Sequence, residues 1–540
     1  MIVKIIGLFL SFVIVAWGQP ALFSFLAPLS AICGFALFWI CCPEKKSFLS
    51  ATIWFAAVQL VQLSWFVSLE FQGIYILFAY VGLSIFMGLQ FGLLTLIVPK
   101  KSIKPLQILS IAACWTLFEW ARLYCLSGFA FNPIGLTLSS FLLSRQTASI
   151  FGVLGLSFLV IVTNLLLYNL FFSRKKWPLV LSVVFFPYCF GLIHLYLHKP
   201  LVPAHVRVAL VQTGLLPSEK IPLSTHKGDF MTPMEQWRHL IRMLRMAVVQ
   251  GTVDLIVFPE AALPFVFEKP LFSYDFIHRV LCKELGSEVS AHFPPLEAPY
   301  AQGSLVTHAF IAQTLANYFH AELISGFDHH DTVADQFFNA AFHFSPHTEP
   351  LTRYDKRVLV PGEYLPFSFC RPLFSCYGIS DFFTPGHKAV LMGRSIPLSV
   401  SICYEEMFSH VMREGRLLGA ELFVNVTNDN WYPETTLARQ HFEHARLRSV
   451  ENGIPLIRAA NSGVTAVVDS FGRTTAYLEE KQGVLVAECS RHTYWTPYSF
   501  WGNWGILFLC CGSLLLFVAK TVYDMVIHHS DSLHVGVDNC

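Results

Sequence analysis

Before residue 200 the chain carries seven apolar segments, at 5–17, 21–42, 50–69, 74–98, 105–123, 150–172 and 178–197. A helix needs about 20 mainly apolar residues to cross a bilayer, and most of these segments come near that length. No other feature constrains the fold as much, because lipid offers the backbone no hydrogen-bond partner and admits only helices or closed barrels. The first segment ends at Trp17-Gly18-Gln19-Pro20 without a small-residue cleavage site, and another apolar segment begins at once, so it reads as a helix and not as a removed signal. An eighth segment, 505–519, comes after a belt of Tyr494, Trp495, Tyr498, Trp501 and Trp504 and ends before Lys520. Composition agrees with a membrane protein: 54% of the 540 residues are hydrophobic and only 14% are charged.

Charge then orients the segments. Lys4, Lys45 and Lys46, Lys100, Lys101 and Lys104, and Arg174, Lys175 and Lys176 fall in alternate connections, whereas the connections between them hold Glu70, Gln72 and only Arg145. Lysine and arginine gather on the cytoplasmic side, so the N-terminus is expected inside. Seven crossings from an inside start put the next region on the far face. The expected organisation is seven transmembrane helices over 1–200, an extramembrane domain over 201–495, a C-terminal transmembrane helix over 496–520 and a cytoplasmic tail over 521–540. The net charge of +1 provides no basic footprint, so nucleic acid is not an expected partner.

Within 201–495, strand-like runs at 206–212, 253–258, 322–326 and 421–427 alternate with helix-like stretches at 233–250, 305–320 and 434–452, the pattern of an α/β domain. The stretch 283–304 has no clear period and reads as a surface insertion. In the membrane part, Glu119 and Arg122 share a helix face and read as a structural pair, and 124–149, broken by Gly128 and Pro133, reads as a re-entrant or interfacial segment beneath the outer domain. Many of the 14 cysteines lie inside apolar runs; Cys370 and Cys376 could pair only in an oxidising compartment.

Three stretches of the outer domain end strands on reactive side chains. Asp254-Leu-Ile-Val-Phe-Pro-Glu260 stops at a proline and presents a carboxylate; Tyr354-Asp-Lys356 leads into a loop containing Glu363; and 396–402 is a buried strand delivering Cys403. Glu405 and Glu406 come next in a stretch that reads as the first turn of a helix, whose positive end would lower the thiol pKa. Taken singly, each has an ordinary explanation: a solvated strand-end Glu, a charged loop, a buried small hydrophobe. His441 and His444, with Glu443 between them, lack an obvious third ligand, and no metal or other cofactor is expected.

Together these stretches resemble the nitrilase, or carbon–nitrogen hydrolase, superfamily, which uses Glu, Lys and Cys in this order on an αββα sandwich. Asn428-Asp429-Asn430-Trp431, Gln440-His441-Phe442 and Asn452-Gly453 through Asn461-Ser462-Gly463 resemble its later segments. With apolar helices before and after, the whole chain resembles the membrane-embedded apolipoprotein N-acyltransferase family. That resemblance implies eight transmembrane helices plus a nitrilase-like αββα domain on the periplasmic side of the bacterial inner membrane. It implies a catalytic Glu260, Lys356 and Cys403, supporting Glu363, Tyr404 and Glu405, and Trp431 in the substrate pocket. The implied reaction is phospholipid-dependent N-acylation of a diacylglyceryl-cysteine lipoprotein through a Cys403 thioester. Two departures stand out. Val360-Pro361-Gly362-Glu363 is one residue shorter than the usual Val-Pro-Phe-Gly-Glu, which leaves the place of Glu363 open, and Pro217-Ser218-Glu219-Lys220 is followed by Ile221 where a Trp is common. Two rivals remain: a membrane-anchored amidase, which would need only one helix, and a transporter with a regulatory outer domain, whose spans would usually carry more charge than Glu119 and Arg122.

Overall fold

The computed structural model describes residues 2–125, 127–173, 176–200, 204–222, 229–365, 367–368, 371–376 and 382–535. Arg174, Lys175 and Cys370, and with it the possible Cys370 to Cys376 pairing, lie outside the described residues.

Helices occupy all eight apolar segments. Four of them, Tyr75–Leu96, Ala148–Leu170, Trp177–Leu197 and Asn503–Val526, are long and apolar enough to cross a membrane. Ile2–Trp17 and Ser47–Gln62 have 16 residues each, and Pro105–Arg122 has 18. The second segment is broken into Pro20–Phe23, Ala27–Leu29, a π turn Ser30–Gly34 and Phe35–Cys41. Proline stands first in Pro20–Phe23 and second in Ala27–Leu29, within the first turn that its lost N–H and fixed φ favour. The last helix continues past Lys520 to Val535. Aromatic rings fill the bundle: Phe38 stacks on Trp54 at 4.4 Å and Phe55 on Phe91 at 4.9 Å between ring centroids.

The region after residue 204 folds into two six-stranded sheets packed face to face. One runs, in spatial order, Gly483–Ser490, His205–Gln212, Leu255–Val257, Glu322–Asp331, Gln336–Ser345, Thr348–Asp355; the other runs Thr474–Tyr477, Ala466–Val468, Leu456–Ala460, Leu422–Thr427, Leu398–Ile402, Leu391–Met392. Alternation along each strand sorts the side chains. Val208, Leu210, Val257 and Ile324 meet Val400, Ile402, Val424 and Ile457 between the sheets. Ala209, Val211, Ile256 and Leu323 turn outward beneath the helices Pro233–Ala247, Tyr274–Leu285 and His308–Phe319. Ser409–Leu417 and Leu437–Asn452 cover the other sheet through Met412, Phe442 and Ala445. The layers are therefore helix, sheet, sheet, helix.

The expected strands at 206–212, 253–258, 322–326 and 421–427 all form, with ends shifted by a few residues. The hairpin Gln336–Ser345 with Thr348–Asp355 and the closing strand Gly483–Ser490, which pairs antiparallel with His205–Gln212, are additions. The stretch 283–304 runs largely at the surface, as expected, but it is pinned to the domain. Val289 and Tyr300 are fully buried, and Ala301–Gln302 joins Leu305–Val306 and Phe272–Ser273 in a small sheet.

One end of the helical bundle is fused to this domain. Trp65 Nε1 donates to Gln440 Oε1 at 3.1 Å, Gln440 Nε2 to the Gln62 carbonyl at 2.7 Å, and Ser127 Oγ to the Leu359 carbonyl at 2.7 Å. The segment 124–149 lies at this joint, its helical turn Ile134–Ser139 wholly buried. Glu119 and Arg122 form the expected pair at 3.7 Å; the same Glu119 oxygen also accepts from Trp115 Nε1 and the Ile134 N–H, both at 2.9 Å, which anchors that turn.

Candidate active site

Glu260 sits just beyond Leu255–Val257, where Pro259 ends the ladder and Ala261 takes a left-handed φ of 40°. The neighbouring strand passes so close that a Cβ on Gly326 would lie 2.7 Å from the Ala261 nitrogen and 2.8 Å from the Glu260 Cα. Only glycine lets the two backbones approach like this. The Glu260 carbonyl accepts from Asn461 Nδ2 at 2.7 Å and Lys220 Nζ at 3.2 Å, so the backbone is clamped while the carboxylate meets Lys356 Nζ.

Lys356 comes directly after the strand Thr348–Asp355 and is almost wholly buried. Its Nζ donates to Glu363 Oε1 at 2.7 Å and to Glu260 Oε1 at 3.0 Å. Burial alone would lower the ammonium pKa, but Glu260, Glu363 and the Cys403 thiol outweigh it and hold Lys356 well above the ordinary lysine value. Asn339 Nδ2 bridges the same carboxylates, 2.9 Å from Glu260 Oε1 and 3.0 Å from Glu363 Oε1. The short loop reaches this position because Gly362 adopts a φ of 107°, closing a turn in which the Glu363 N–H donates to the Val360 carbonyl at 2.9 Å.

Cys403 ends Leu398–Ile402 with a left-handed φ of 52°. The chain then makes a five-residue 3₁₀ turn, Cys403–Met407, and the α-helix starts only at Ser409. The expected lowering of the thiol pKa by a helix terminus is therefore corrected. Burial pushes the Cys403 thiol well above its ordinary value, Glu260 and Asp429 push it further, and Lys356 opposes them. Burial thus disfavours the thiolate form of Cys403.

The remaining candidates occupy distinct places. Glu405 is fully buried; its carboxylate accepts from the Ile402 N–H and the Tyr354 hydroxyl at 2.8 Å, and from the Val358 N–H at 3.1 Å. It ties the lysine loop to the cysteine turn. Tyr404 faces the membrane joint, where its hydroxyl accepts from the Ala130 N–H at 3.0 Å and donates to the Gly128 carbonyl at 3.2 Å, its ring stacked on Phe131. Trp431 lies at the same seam, edge-on to Phe71.

Several residues that surround Glu260, Lys356 and Cys403 do not stand out in the sequence as part of a site. Asn339 is a lone polar side chain in Phe337-Phe338-Asn339-Ala340-Ala341, and a buried amide on an apolar strand was the available signal. Lys220 lies in the departing stretch Pro217-Ser218-Glu219-Lys220. It is buried, and its Nζ donates to Asn461 Oδ1 at 2.9 Å; burial lowers its pKa to about 7 although Glu260 and Asp328 raise it. His441, Asp429, Arg458 and Glu406 form a buried charged cluster under Cys403.

A family model described as "Apolipoprotein N-acyltransferase N-terminal domain" matches residues 10–166, and the carbon-nitrogen hydrolase model matches residues 207–495. The apolipoprotein N-acyltransferase of Chlamydia caviae is 31% identical over 94% of this chain and 95% of its own length. This chain belongs to the apolipoprotein N-acyltransferase family. A second family member, from Chlamydia trachomatis serovar D, is likewise 31% identical, over 94% of this chain and 95% of its own. A solved CN-hydrolase superfamily protein of Xanthomonas campestris covers 53% of this chain and 91% of its own, with 17% identity and a TM-score of 0.36. The two family models divide the chain as the structure does, into the helical part and the two-sheet domain of this N-acyltransferase family member.

Proposed function

We propose that this chain is an N-acyltransferase of the bacterial inner membrane, moving an acyl chain from a phospholipid to the N-terminal amine of a diacylglyceryl-cysteine lipoprotein. In this reading residues 1–200 make seven crossings, 201–495 form the periplasmic catalytic domain, 496–520 make the eighth crossing and 521–540 form the cytoplasmic tail. The bundle's two ends support the orientation. At the end away from the catalytic domain, Lys100 Nζ donates to the Trp39 carbonyl at 2.8 Å and Lys176 Nζ to the Ile103 carbonyl at 3.4 Å, so the lysine-bearing connections gather there.

Glu260 takes the Sγ proton as Cys403 attacks the phospholipid ester carbonyl, and the Lys356 ammonium and the Tyr404 backbone N–H meet the oxyanion. Collapse returns that proton, through Glu260, to the departing alkoxide, leaving a lysophospholipid and a Cys403 thioester. The lipoprotein amine then attacks the thioester carbonyl, Glu260 accepts its proton, and the expelled sulfur recovers it as the amide forms. An amide is more stable than a thioester, so the second step runs downhill. Glu363 and Asn339 hold the Lys356 and Glu260 pair, Glu405 keeps the loops in register, and Trp431 lines the seam by which an acyl chain leaves the bilayer.

The observation that carries this reading is a buried lysine locked between the buried Glu260 and the half-buried Glu363 beside a thiol, at the junction with the apolar bundle. The test is intact-mass analysis of purified protein with phospholipid alone, for the native chain and for Cys403→Ala, followed by a diacylated lipopeptide. A hydroxylamine-sensitive adduct on Cys403 that moves to the peptide amine is expected. An adduct lost equally fast without peptide would make the protein a hydrolase, and no adduct at all would refute the proposal.

A further inference from the structure

Cys403 holds a conformation that a non-glycine residue adopts only when its surroundings impose it, since left-handed backbone costs roughly 1–2 kcal/mol. The constraint is visible at its carbonyl, which accepts from His441 Nε2 at 3.1 Å and Asn425 Nδ2 at 3.2 Å. His441 is buried and comes from a different element, the helix Leu437–Asn452. Its Nε2 also lies 3.1 Å from Glu406 Oε1. Facing two acceptors, that nitrogen carries the hydrogen. The other ring nitrogen, Nδ1, is fixed by Asp429 Oδ1 and Arg458 Nη2, each at 3.0 Å. Arg458 is itself gripped by Glu406 at 2.8 Å and Asp429 at 3.0 Å, so the imidazole cannot rotate without breaking a closed set of buried charges.

We propose that His441 is the positioning residue of the nucleophile, holding the Cys403 carbonyl so that the left-handed turn aims Sγ at the Glu260 and Lys356 pair. This rests on the acyl-transfer reading of the site, but its consequence for the thiol can be measured without acyl transfer. His441 makes no step of the chemistry; it fixes where the sulfur stands. Misplacing a reacting atom by about 1 Å costs up to about a hundredfold in rate.

Two amide substitutions separate positioning from packing. His441→Gln extends its amide nitrogen to about the place of Nε2, whereas His441→Asn reproduces only the Nδ1 position. Each variant, in the full-length detergent-solubilised protein, is assayed for two rates: acylation of Cys403 by phospholipid, followed by intact mass, and alkylation by iodoacetamide at pH 7, read on the Cys403-containing peptide after digestion. Thermal unfolding midpoints are recorded alongside. His441→Gln is expected to retain both rates within about threefold, and His441→Asn to lose about tenfold or more in both at a similar midpoint. Equal rates for the two variants, or a faster His441→Asn, would overturn the proposal, because a residue that merely fills space or balances charge does not distinguish them. If either variant fails to fold, the decision passes to Asn425→Asp, which removes the other donor to the same carbonyl: an unchanged alkylation rate there refutes a carbonyl clamp, and a tenfold loss supports it. If native protein alkylates normally yet never acylates, the acyl-transfer reading fails while the alkylation comparison still decides the role of His441.

Discussion

The contact between Gly326 and the turn at Glu260 makes Gly326→Ala a sharp test of the catalytic reading. The φ of Gly326 is one that alanine accepts, so the substitution would ordinarily stabilise the protein by about 0.4–1 kcal/mol through the unfolded chain. Here the new methyl would stand 2.7 Å from the Ala261 nitrogen and 2.8 Å from both the Glu260 Cα and the Pro259 carbonyl, all of them backbone atoms, against an ordinary contact of 3.4 Å or more. Relieving the closest contact moves the turn by roughly 0.7 Å, the difference between those distances. Overpacking of this kind costs about 1–3 kcal/mol, so the net effect is a loss of stability of about 1–2 kcal/mol. The same movement carries Glu260 off its 3.0 Å contact with Lys356, and a displacement of this size at the proposed general base slows the reaction by about ten- to a hundredfold. The assay is the rate of Cys403 acylation from phospholipid, followed by intact mass, with the unfolding midpoint measured on the same preparation. A variant that acylates at the native rate with an unchanged or higher midpoint would refute the argument, because it would mean that the position of Glu260 is not set by this contact or does not matter.

The charged groups give two further outcomes. Lys356→Met leaves the buried Glu260 beside the half-buried Glu363 without the cation that each contacts, so the acyl adduct should vanish and stability should fall by about 3–5 kcal/mol in denaturant titration. Asp429 is a pH probe: burial raises its pKa, but Arg458 and His441 overcome this and bring it down to about 2. A carboxyl depressed in the folded state stabilises it above the unfolded value of about 4 and loses that contribution as pH falls toward 2. The stability difference between native protein and Asp429→Asn should therefore shrink by about 2 kcal/mol from pH 5 to pH 2, and a difference that stays constant would contradict the assigned pairing.

Much of this architecture was legible because it is written in period and polarity. The apolar segments announced the helices, and the ends of three strands announced Glu260, Lys356 and Cys403. Side-chain direction could not be read. Glu405 and Glu406 are adjacent, and both read as dipole partners at a helix start; in the fold Glu405 reaches back to Ile402 and Tyr354, while Glu406 turns to Arg458. A turn of the 3₁₀ type, with its tighter winding, is what sends consecutive carboxylates to opposite sides of the cysteine strand. Burial reversed the expected shift of the thiol for a related reason: a sequence shows charged neighbours along the chain but not the loss of water around them. The same blindness hid His441, since nothing in Gln440-His441-Phe442 says that the imidazole lies beneath a carbonyl 38 residues earlier. The motif stretches that resembled the family carried buried charges as well as the candidate reactive groups, and the two kinds separate only when it is seen which side chains the Cys403 carbonyl leans on.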